Sequence, residues 1–274
     1  MIKDYLSRIG LDDPPPPTLA GLRAVHRAHL LAISYEDIDV QFGHPLTTSP
    51  QAAYDKLVTR RRGGWCYEMN GVLGWALGEL GFQVTRATGA VMRQAKAEAA
   101  HGNHLVLRVD LPEGVWLADV GFGAGPIDPI RVVPGPFASH GFDYALTELD
   151  ADWWRLTDPR PGAMSFDFNL AAADEALLAA KCDFLRTSPK SPFVQNLVVQ
   201  RHTQEGHAIL RGRILSLVTP HGTTERELAD AAELVATLRE VFALDVPQAA
   251  SLWPKILARH EEVLAQRLAA QPSA

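Results

Sequence analysis

The first 81 positions of the chain carry hydrophobic residues with helical periodicity. Between Cys66 and Leu80, apolar residues return every three or four positions, and Gly81 follows as a stop signal. This pattern predicts a helix whose first turn contains Cys66. Thr18 is a candidate cap for an earlier helix, because a threonine side chain there can accept a hydrogen bond from the first turn.

A further helix is predicted to open at Ser49 and Pro50 and to run through Leu57. A serine cap followed by proline at the first helical position is typical of a helix start. The stretch at residues 33–40 is too short and irregular to assign.

From residue 82 onward the apolar period changes to two, which is typical of half-buried strands. Residues 112–114, Pro-Glu-Gly, are predicted to form the turn of one hairpin, and residues 150–152 the turn of another. Strands are predicted at residues 82–93, 104–111, 115–122, 144–149, 153–157, 193–201 and 208–219. Helices are predicted at residues 171–181, 225–242 and 247–271, the last interrupted or restarted at Pro254. Many short strands after a helical start favour an α+β fold containing a small barrel or sandwich.

Composition narrows the class of protein. The 274 residues are 47% hydrophobic and 21% charged, with a formal net charge of -6, so no overall attraction to nucleic acid or to an anionic membrane is expected. The two cysteines, Cys66 and Cys182, cannot make a disulfide framework, which favours a reducing, cytoplasmic location. The charged start of the chain does not resemble a signal peptide. No apolar run is long enough to span a membrane.

Cys66 is the first candidate for chemistry. Free N–H groups and the helix dipole at a helix N-terminus stabilise a thiolate, and such a site can lower a cysteine pKa from ~8.5 to between ~3.5 and ~7.5 when His or Arg is also close. A buried structural cysteine is the alternative, since free cysteine is among the most buried residue types. The helix alone does not separate these interpretations.

His104 is the candidate base, because hairpin geometry can place a carboxylate behind it. If the turn contains two residues, Leu111 faces Gly114 and His104 faces Gly121. Asp119 is then the same-face diagonal neighbour of His104, at roughly 7–8 Å between Cα atoms. With a three-residue loop, Asp119 points to the other face, so the inference depends on the turn.

The sequence RGGWCYEMN at residues 62–70 closely resembles the R-G-G-x-C-x-E-x-N signature of the arylamine N-acetyltransferases. The sequences NHL at 103–105 and ADVGFG at 118–123 occupy the places where that family carries the His and Asp of a Cys-His-Asp triad. The resemblance spans nearly the whole chain. It identifies Cys66, His104 and Asp119 as the expected nucleophile, general base and orienting acid.

The resemblance also implies an architecture and a reaction. The expected parts are a helical bundle at residues 1–82, a β-barrel domain at 83–190 and a C-terminal α/β lid at 191–274. The expected donor is acetyl-CoA, used as a co-substrate with no permanently bound cofactor and no metal. The expected acceptors are aromatic amines and hydrazines, acetylated by a ping-pong mechanism through an acetyl-cysteine thioester.

Other site residues follow from the same resemblance. Phe122, Tyr35 and Phe193 are expected to line the acceptor pocket, where SYEDI at residues 34–38 replaces the family's Pro-Phe-Glu-Asn-Leu. Asn103 and Gly123 are expected near CoA. One arginine of residues 60–62 is expected to pair with Glu68.

Three alternatives remain at this stage. A cysteine hydrolase or transglutaminase-like enzyme could use the same triad with a different acceptor. A structural zinc site could be formed by Cys66, His101, His104 and Asp119, although zinc sites usually bring paired ligands at short spacing. A non-catalytic ligand-binding module would leave the order of nucleophile, base and acid as a coincidence.

Overall fold

The computed structural model describes residues 1–150, 152–160 and 162–270 and shows a mixed fold of helices and antiparallel sheets. The α-helices are α1 (Ile2–Ile9), α2 (Leu19–Ala32), α3 (Ile38–Gln41), α4 (Pro50–Tyr54), α5 (Cys66–Glu79), α6 (Arg93–Lys96), α7 (Glu175–Thr187), α8 (Pro192–Gln195), α9 (Ala231–Glu240) and α10 (Trp253–Ala270). A π-helical turn covers Asp55–Thr59, and 3-10 turns cover Ala97–Ala100 and Pro247–Leu252.

The strands fall into two antiparallel sheets. They are β1 (Tyr35–Glu36), β2 (Gln83–Val91), β3 (His104–Leu111), β4 (Gly114–Ala118), β5 (Ile130–Arg131), β6 (Gly135–Ser139), β7 (Phe142–Glu148), β8 (Trp153–Thr157), β9 (Phe166–Ala172), β10 (Val198–His202), β11 (His207–Arg211), β12 (Ile214–Thr219) and β13 (Gly222–Glu227). Ala151, in the turn predicted at residues 150–152, and Gln271, the predicted end of the last helix, lie outside the described residues.

The capping signals of the N-terminal region are confirmed. The Thr18 side chain accepts a hydrogen bond from the Gly21 N–H, 3.3 Å, at the start of α2. Ser49 caps α4 in the same way, with Pro50 as the first helical residue. Helix α5 begins at Cys66, as the periodicity predicted, and buries its apolar residues against α1 and α2.

The larger sheet has the strand order β5-β4-β3-β2-β9-β8-β7-β6 and curls into a half-barrel. Its concave core is rich in aromatic side chains, among them Phe142, Tyr144, Trp154, Phe166 and Phe168. The prediction of a barrel or sandwich is confirmed in this coarser form. The edge strands β5 and β6 do not pair with each other, so the described sheet stays open.

The hairpin of β3 and β4 has the register on which the site prediction depended. Leu111 pairs with Gly114 and Leu107 with Ala118, so the turn contains only Pro112 and Glu113. Strand β4 ends at Ala118, earlier than the predicted end at residue 122. His104 therefore lies beyond the paired part of β4. On its other side it pairs with Gly89 of β2.

The smaller sheet joins distant parts of the chain in the order β1-β10-β11-β12-β13. Tyr35 pairs with Gln200, so the unassigned stretch at residues 33–40 contributes a strand. The strand predicted at 208–219 is two strands, divided at Gly212, whose φ of 59° suits a tight turn.

Helix boundaries in the C-terminal half needed correction. Residues 222–227 pair with β12 as β13, so α9 begins only at Ala231, after its Asp230 cap. The predicted strand at 193–201 starts instead with α8, because Ser191 caps it and Pro192 is its first residue. The helix predicted at 171–181 is α7, which starts at Glu175 because β9 extends to Ala172.

Across the described ranges, every helix is too short or too polar to cross a membrane.

Candidate active site

Cys66 is the first residue of α5, and its side chain is almost fully buried, with 3% exposed. The residue before it, Trp65, donates its backbone N–H to Glu68 Oε2 at 3.2 Å, which caps the helix. The usual capping pattern has Ser or Thr three residues before Glu. Here Trp65 stands in the place of the Ser or Thr, and Glu68 is the Glu. This cap fixes the backbone on which the thiol is carried.

The expected lowering of the cysteine pKa is outweighed by burial. Burial raises the pKa of the Cys66 thiol because a thiolate loses its solvation there, whereas the backbone N–H groups of Leu105 and Tyr67 act in the opposite direction. Position at a helix N-terminus was the only effect that the sequence made visible. The thiol therefore depends on a proton acceptor beside it to become a nucleophile.

His104 and Asp119 form a buried pair. His104 Nε2 donates to Asp119 Oδ2 at 2.7 Å, and their side chains are 2% and 6% exposed. Burial opposes ionisation of Asp119, but His104 and hydrogen bonds from Asn70 and Gly121 lower its pKa below the usual value. The carboxylate stays ionised at neutral pH and accepts the hydrogen on Nε2, which favours the arrangement that leaves Nδ1 as an acceptor.

Aromatic rings surround the His104 imidazole. The ring centroids of Phe122 and Phe166 lie 5.7 Å and 5.1 Å from it, both at steep interplanar angles. Gly89 lies under the imidazole, where an added Cβ would come within 2.9 Å of His104 Cβ. These contacts restrict the orientation of the imidazole.

Asn70 joins the cysteine helix to the Asp119 segment, and the sequence analysis assigned it no role. Its Nδ2 donates to Leu105 O at 2.6 Å and to Asp119 Oδ1 at 2.7 Å, and its Oδ1 accepts from the Val120 N–H at 2.9 Å. The signal that could have revealed it is its spacing. Asn70 lies four residues after Cys66, so both face the same side of α5.

Gly121 provides the closest approach between the two segments. A Cβ placed at this position would lie 2.7 Å from Cys66 Cα and 2.7 Å from Asn70 Nδ2. The Gly121 N–H also donates to Asp119 Oδ1 at 2.8 Å. The loop after β4 therefore packs directly on the first turn of α5 and brings the Asp119 segment to Cys66.

His26 supports Asp119 from the other side. Its Nε2 accepts a hydrogen bond from the Asp119 N–H at 3.1 Å, while its Nδ1 donates to Ile127 O at 2.9 Å. Helix α2 buries His26 fully against this loop. Burial lowers the pKa of His26, so it is neutral and can accept.

The three predicted pocket residues lie around the cysteine and the histidine. Phe122 is half-buried against His104. Tyr35 is buried in the same apolar cluster as Cys66. Phe193 packs at the edge of that cluster, 5.7 Å from Trp65 between ring centroids.

The two residues expected near CoA make close contacts within the chain. Asn103 accepts from the Val91 N–H at 2.7 Å and donates to Val91 O at 3.1 Å, which ties the loop before β3 to the end of β2. Gly123 has a φ of 85°, and a Cβ there would lie 2.2 Å from Gln200 Oε1. The positive φ favours glycine at this position, and a Cβ there would make the Gln200 amide shift.

Two other expectations are corrected. Glu68 pairs with Lys56 at 2.9 Å, whereas Arg62 pairs with Glu36 at 2.7 Å. His101 stacks on Trp153 at 4.7 Å between centroids, and its Nε2 accepts a hydrogen bond from Arg93 Nε at 3.2 Å. Across the described ranges, groups of three or more His, Cys, Asp or Glu side chains arranged for a metal ion are absent.

Two open cavities lie elsewhere on the surface. One, of about 690 Å³, lies between α2 and the two edge strands of the half-barrel, and is lined by Arg23, Trp116 and Arg131 among others. The other, of about 250 Å³, is lined by Arg93, Arg155 and neighbouring residues. Neither cavity is lined by Cys66, His104 or Asp119. The candidate site is therefore the buried cluster that contains these three residues.

Comparison with known proteins supplies the family. A family model described as N-acetyltransferase matches residues 18–251. The arylamine N-acetyltransferase of Mycolicibacterium smegmatis is 36% identical, over 95% of this chain and 97% of its own length. The chain belongs to the arylamine N-acetyltransferase family. It is accordingly an acyltransferase, and the hydrolase and zinc-protein interpretations lose their support.

Other arylamine N-acetyltransferases agree over similar lengths. The Escherichia coli enzyme is 30% identical over 91% of this chain and 90% of its own. The solved structure of the Mycobacterium marinum enzyme in complex with CoA superposes with a TM-score of 0.85, at 33% identity, over 94% of this chain and 98% of that one. The fold and the family therefore agree.

Proposed function

We propose that this enzyme transfers the acetyl group of acetyl-CoA to arylamines and hydrazines through a thioester on Cys66. The observation that carries the proposal is the His104–Asp119 hydrogen bond of 2.7 Å. Asp119 lies on the loop that packs against the first turn of α5. The CoA complex of the Mycobacterium marinum relative supports acetyl-CoA as the donor.

In the first half-reaction His104 Nδ1 takes the proton of the Cys66 thiol. Asp119 stabilises the imidazolium that results. The thiolate attacks the acetyl carbonyl carbon of acetyl-CoA, forming the new C–S bond. Collapse of the tetrahedral intermediate breaks the C–S bond to CoA, whose sulfur leaves with the proton that His104 returns.

In the second half-reaction the acceptor nitrogen attacks the thioester carbonyl. His104 removes a proton from that nitrogen, and the Cys66 thiolate leaves. The imidazolium then returns the proton to the thiolate. Neutral arylamines are weak nucleophiles, and an activated thioester suits them. The amide product carries the acetyl group, and the enzyme returns to its starting state.

The surrounding residues have proposed roles as well. Phe122, Tyr35 and Phe193 would line the acceptor pocket, because each lies against His104 or in the apolar surroundings of Cys66. Asn103 and Gly123 would lie along the path of CoA. Two free, buried cysteines support a cytoplasmic location.

We further propose the division of labour that the resemblance implies. Residues 1–82 would act as a helical bundle carrying the nucleophile. Residues 83–190 would act as a barrel domain carrying His104 and Asp119, and residues 191–274 as an α/β lid. The position of Cys66 on α5 and of His104 on β3 supports the first two assignments.

Mass spectrometry tests the covalent step. Incubation with acetyl-CoA and no amine should add one acetyl group to the peptide containing Cys66. Cys66→Ser should lose the label and the transfer activity, because serine's far higher pKa leaves no comparable nucleophile. Cys182→Ser serves as the matched control and should retain both. Label on Cys182 with none on Cys66 would overturn the assignment.

Kinetic order separates the thioester scheme from direct attack. Because CoA leaves before the amine reacts, double-reciprocal plots at varied donor and acceptor concentrations should be parallel. Intersecting lines would indicate a ternary complex, and the covalent scheme would then be abandoned.

A further inference from the structure

A buried group of charges lies directly behind the cap of α5. Lys56 is 2% exposed, and its Nζ lies 2.9 Å from Glu68 Oε2, 2.9 Å from Asp39 Oδ2 and 3.7 Å from Glu36 Oε1. A lysine this deeply buried is stable only when it is paired. The pairing must therefore persist in the folded enzyme.

The local backbone delivers Lys56 to this position. It lies in the π-helical turn Asp55–Thr59, closed by the Arg60 N–H bonding to Asp55 O. Arg61 then adopts a φ of 52°, and the Arg62 N–H bonds to Lys56 O at 3.0 Å. π-helical turns recur at functional sites, and a positive φ outside glycine is conformationally costly. Both unusual features occur within eleven residues of Cys66.

Glu68 connects this charge group to the nucleophile. The same Oε2 that meets the ammonium accepts the Trp65 N–H at 3.2 Å. Trp65 precedes Cys66 directly, so the carboxylate that Lys56 holds is the one that caps the first turn of α5. Arg62 binds the outer carboxylates, Glu36 and Asp39, at 2.7 Å and 3.3 Å.

The charges do not cancel within the group. Lys56 and Arg62 face the three carboxylates Glu36, Asp39 and Glu68, which leaves one net negative charge when His44, whose Nδ1 lies 3.3 Å from Asp39 Oδ1, is neutral. Burial is the main cause that raises the pKa of Tyr35 and of Cys182, both in the apolar cluster of Cys66, and the charge of Glu68 adds to each shift. Cys66 lies two residues before Glu68 in the same first turn of α5, so a thiolate there adds a negative charge on the Glu68 side of the helix start, and Lys56 carries the opposite charge.

We propose that Lys56 is a positioning residue for the acetyl transfer, which holds Glu68 as the cap of α5 and offsets the carboxylate charge behind the Cys66 thiolate. The inference rests on the proposed role of Cys66 as nucleophile. Lys56 acts through Glu68 and through the field at Cys66, and touches neither substrate.

The test compares the pH profile of Cys66 alkylation by iodoacetamide in Lys56→Met, Glu68→Gln and the double variant. Loss of the ammonium should move the profile to higher pH, because a positive charge that favours the thiolate is removed. Loss of the carboxylate should move it to lower pH, and glutamine still offers an oxygen to the Trp65 N–H. The double variant keeps the parent's net charge and should lie close to the parent.

Opposite shifts in the two single variants distinguish this role from a purely structural one. Lowered melting temperatures with the parent profile in both, or shifts in the same direction, would overturn the inference. If Lys56→Met does not fold, Glu68→Gln and the double variant decide. Glu68→Gln should then move the profile to lower pH and the double variant should lie close to the parent, and any other result would overturn the inference. The exposed Lys190→Met is the matched control and should reproduce the parent profile.

The same samples separate this inference from the proposed function. If acetyl-CoA labels Cys66 in the parent and the variants keep the parent profile, only the role of Lys56 fails. If the parent is not labelled at Cys66, the proposed function itself fails, whatever the variants show.

Discussion

His104 Nε2 lies 2.7 Å from Asp119 Oδ2, although the paired part of β4 ends at Ala118, one residue before Asp119. The two-residue turn sets the direction of the hairpin. Asp119 itself lies outside the sheet. Its carboxylate is held there by hydrogen bonds that Asn70 and Gly121 both donate to Asp119 Oδ1. The pair therefore depends on the cysteine helix as much as on the hairpin.

Asp119→Asn should fold and lose most activity. Asn70 and Gly121 both require an acceptor, so the amide oxygen should face them and the NH₂ group should face His104 Nε2. His104 would then carry its proton on Nδ1, the nitrogen needed to accept from the thiol. By analogy with serine triads, the rate of acetyl transfer should fall by about 10⁴. Cys66 alkylation should also slow and its pH profile should move upward.

The control for this variant is Asp110→Asn, the same chemical change on the same hairpin. Asp110 pairs with Arg108 at 2.8 Å at a partly exposed position. A surface pair of this kind contributes little, so activity should stay near the parent level. Parent activity in Asp119→Asn would show that Asp119 is not the third member of the proposed Cys-His-Asp triad.

Gly121→Ala should damage the site by steric conflict. The new Cβ would lie 2.7 Å from Cys66 Cα and from Asn70 Nδ2, so the loop after β4 must move away from α5. We expect at least a tenfold loss of acetyl transfer, because misplacement by about 1 Å can cost about 10² in rate. Gly125→Ala is the matched control, since its nearest neighbour, Phe122, would be at an ordinary 3.5 Å. Equal activity in both variants would refute the close packing of this loop.

Asn70→Ala should destabilise the fold as well as the site. It removes hydrogen bonds to Leu105 O, Asp119 Oδ1 and the Val120 N–H from a fully buried position. Buried groups left unpaired cost about 1–3 kcal/mol each, so urea denaturation should show a loss of about 3 kcal/mol or more. Asn196→Ala loses hydrogen bonds near the surface and should change the free energy of unfolding by less than about 1 kcal/mol. Comparable losses in the two variants would contradict the structural role of Asn70.

Acid should destabilise this protein through buried, neutral histidines. Burial lowers the pKa of His29 and of His207 to about 3. A base with a depressed folded-state pKa contributes stability above its unfolded pKa of ~6.5, and that stability is lost as the pH falls towards 3. Each histidine should therefore cost about 2 kcal/mol between pH 7 and pH 5.

The measurement is the free energy of unfolding at both pH values for His207→Phe beside the parent. The phenylalanine cannot bind a proton and can pack on Phe142, which now lies 5.0 Å from the His207 ring. The pH-dependent loss should shrink by about 2 kcal/mol. The exposed His221→Phe is the control and should leave the parent's pH dependence in place. An undiminished loss in His207→Phe would rule out this contribution.

Local signals in the sequence determined several parts of the site. Whether the hairpin turn contains two or three residues stayed open in the sequence, but the start of α5 at Cys66 and the bounds of β3 at His104–Leu111 follow from periodicity and capping. These effects act over a few residues, and a linear reading can detect them. The proposed roles of Cys66, His104 and Asp119 as nucleophile, base and acid came from a family motif, not from those local patterns.

Contacts between distant residues were decided only by the tertiary structure. The pairing of Tyr35 with Gln200, the Gly123 position that Gln200 restricts and the three hydrogen bonds of Asn70 join parts of the chain that sequence spacing does not connect. The burial that raises the pKa of Cys66 arises in the same way. Periodicity tells which face of an element is buried, but the partner that covers it depends on how all elements pack together.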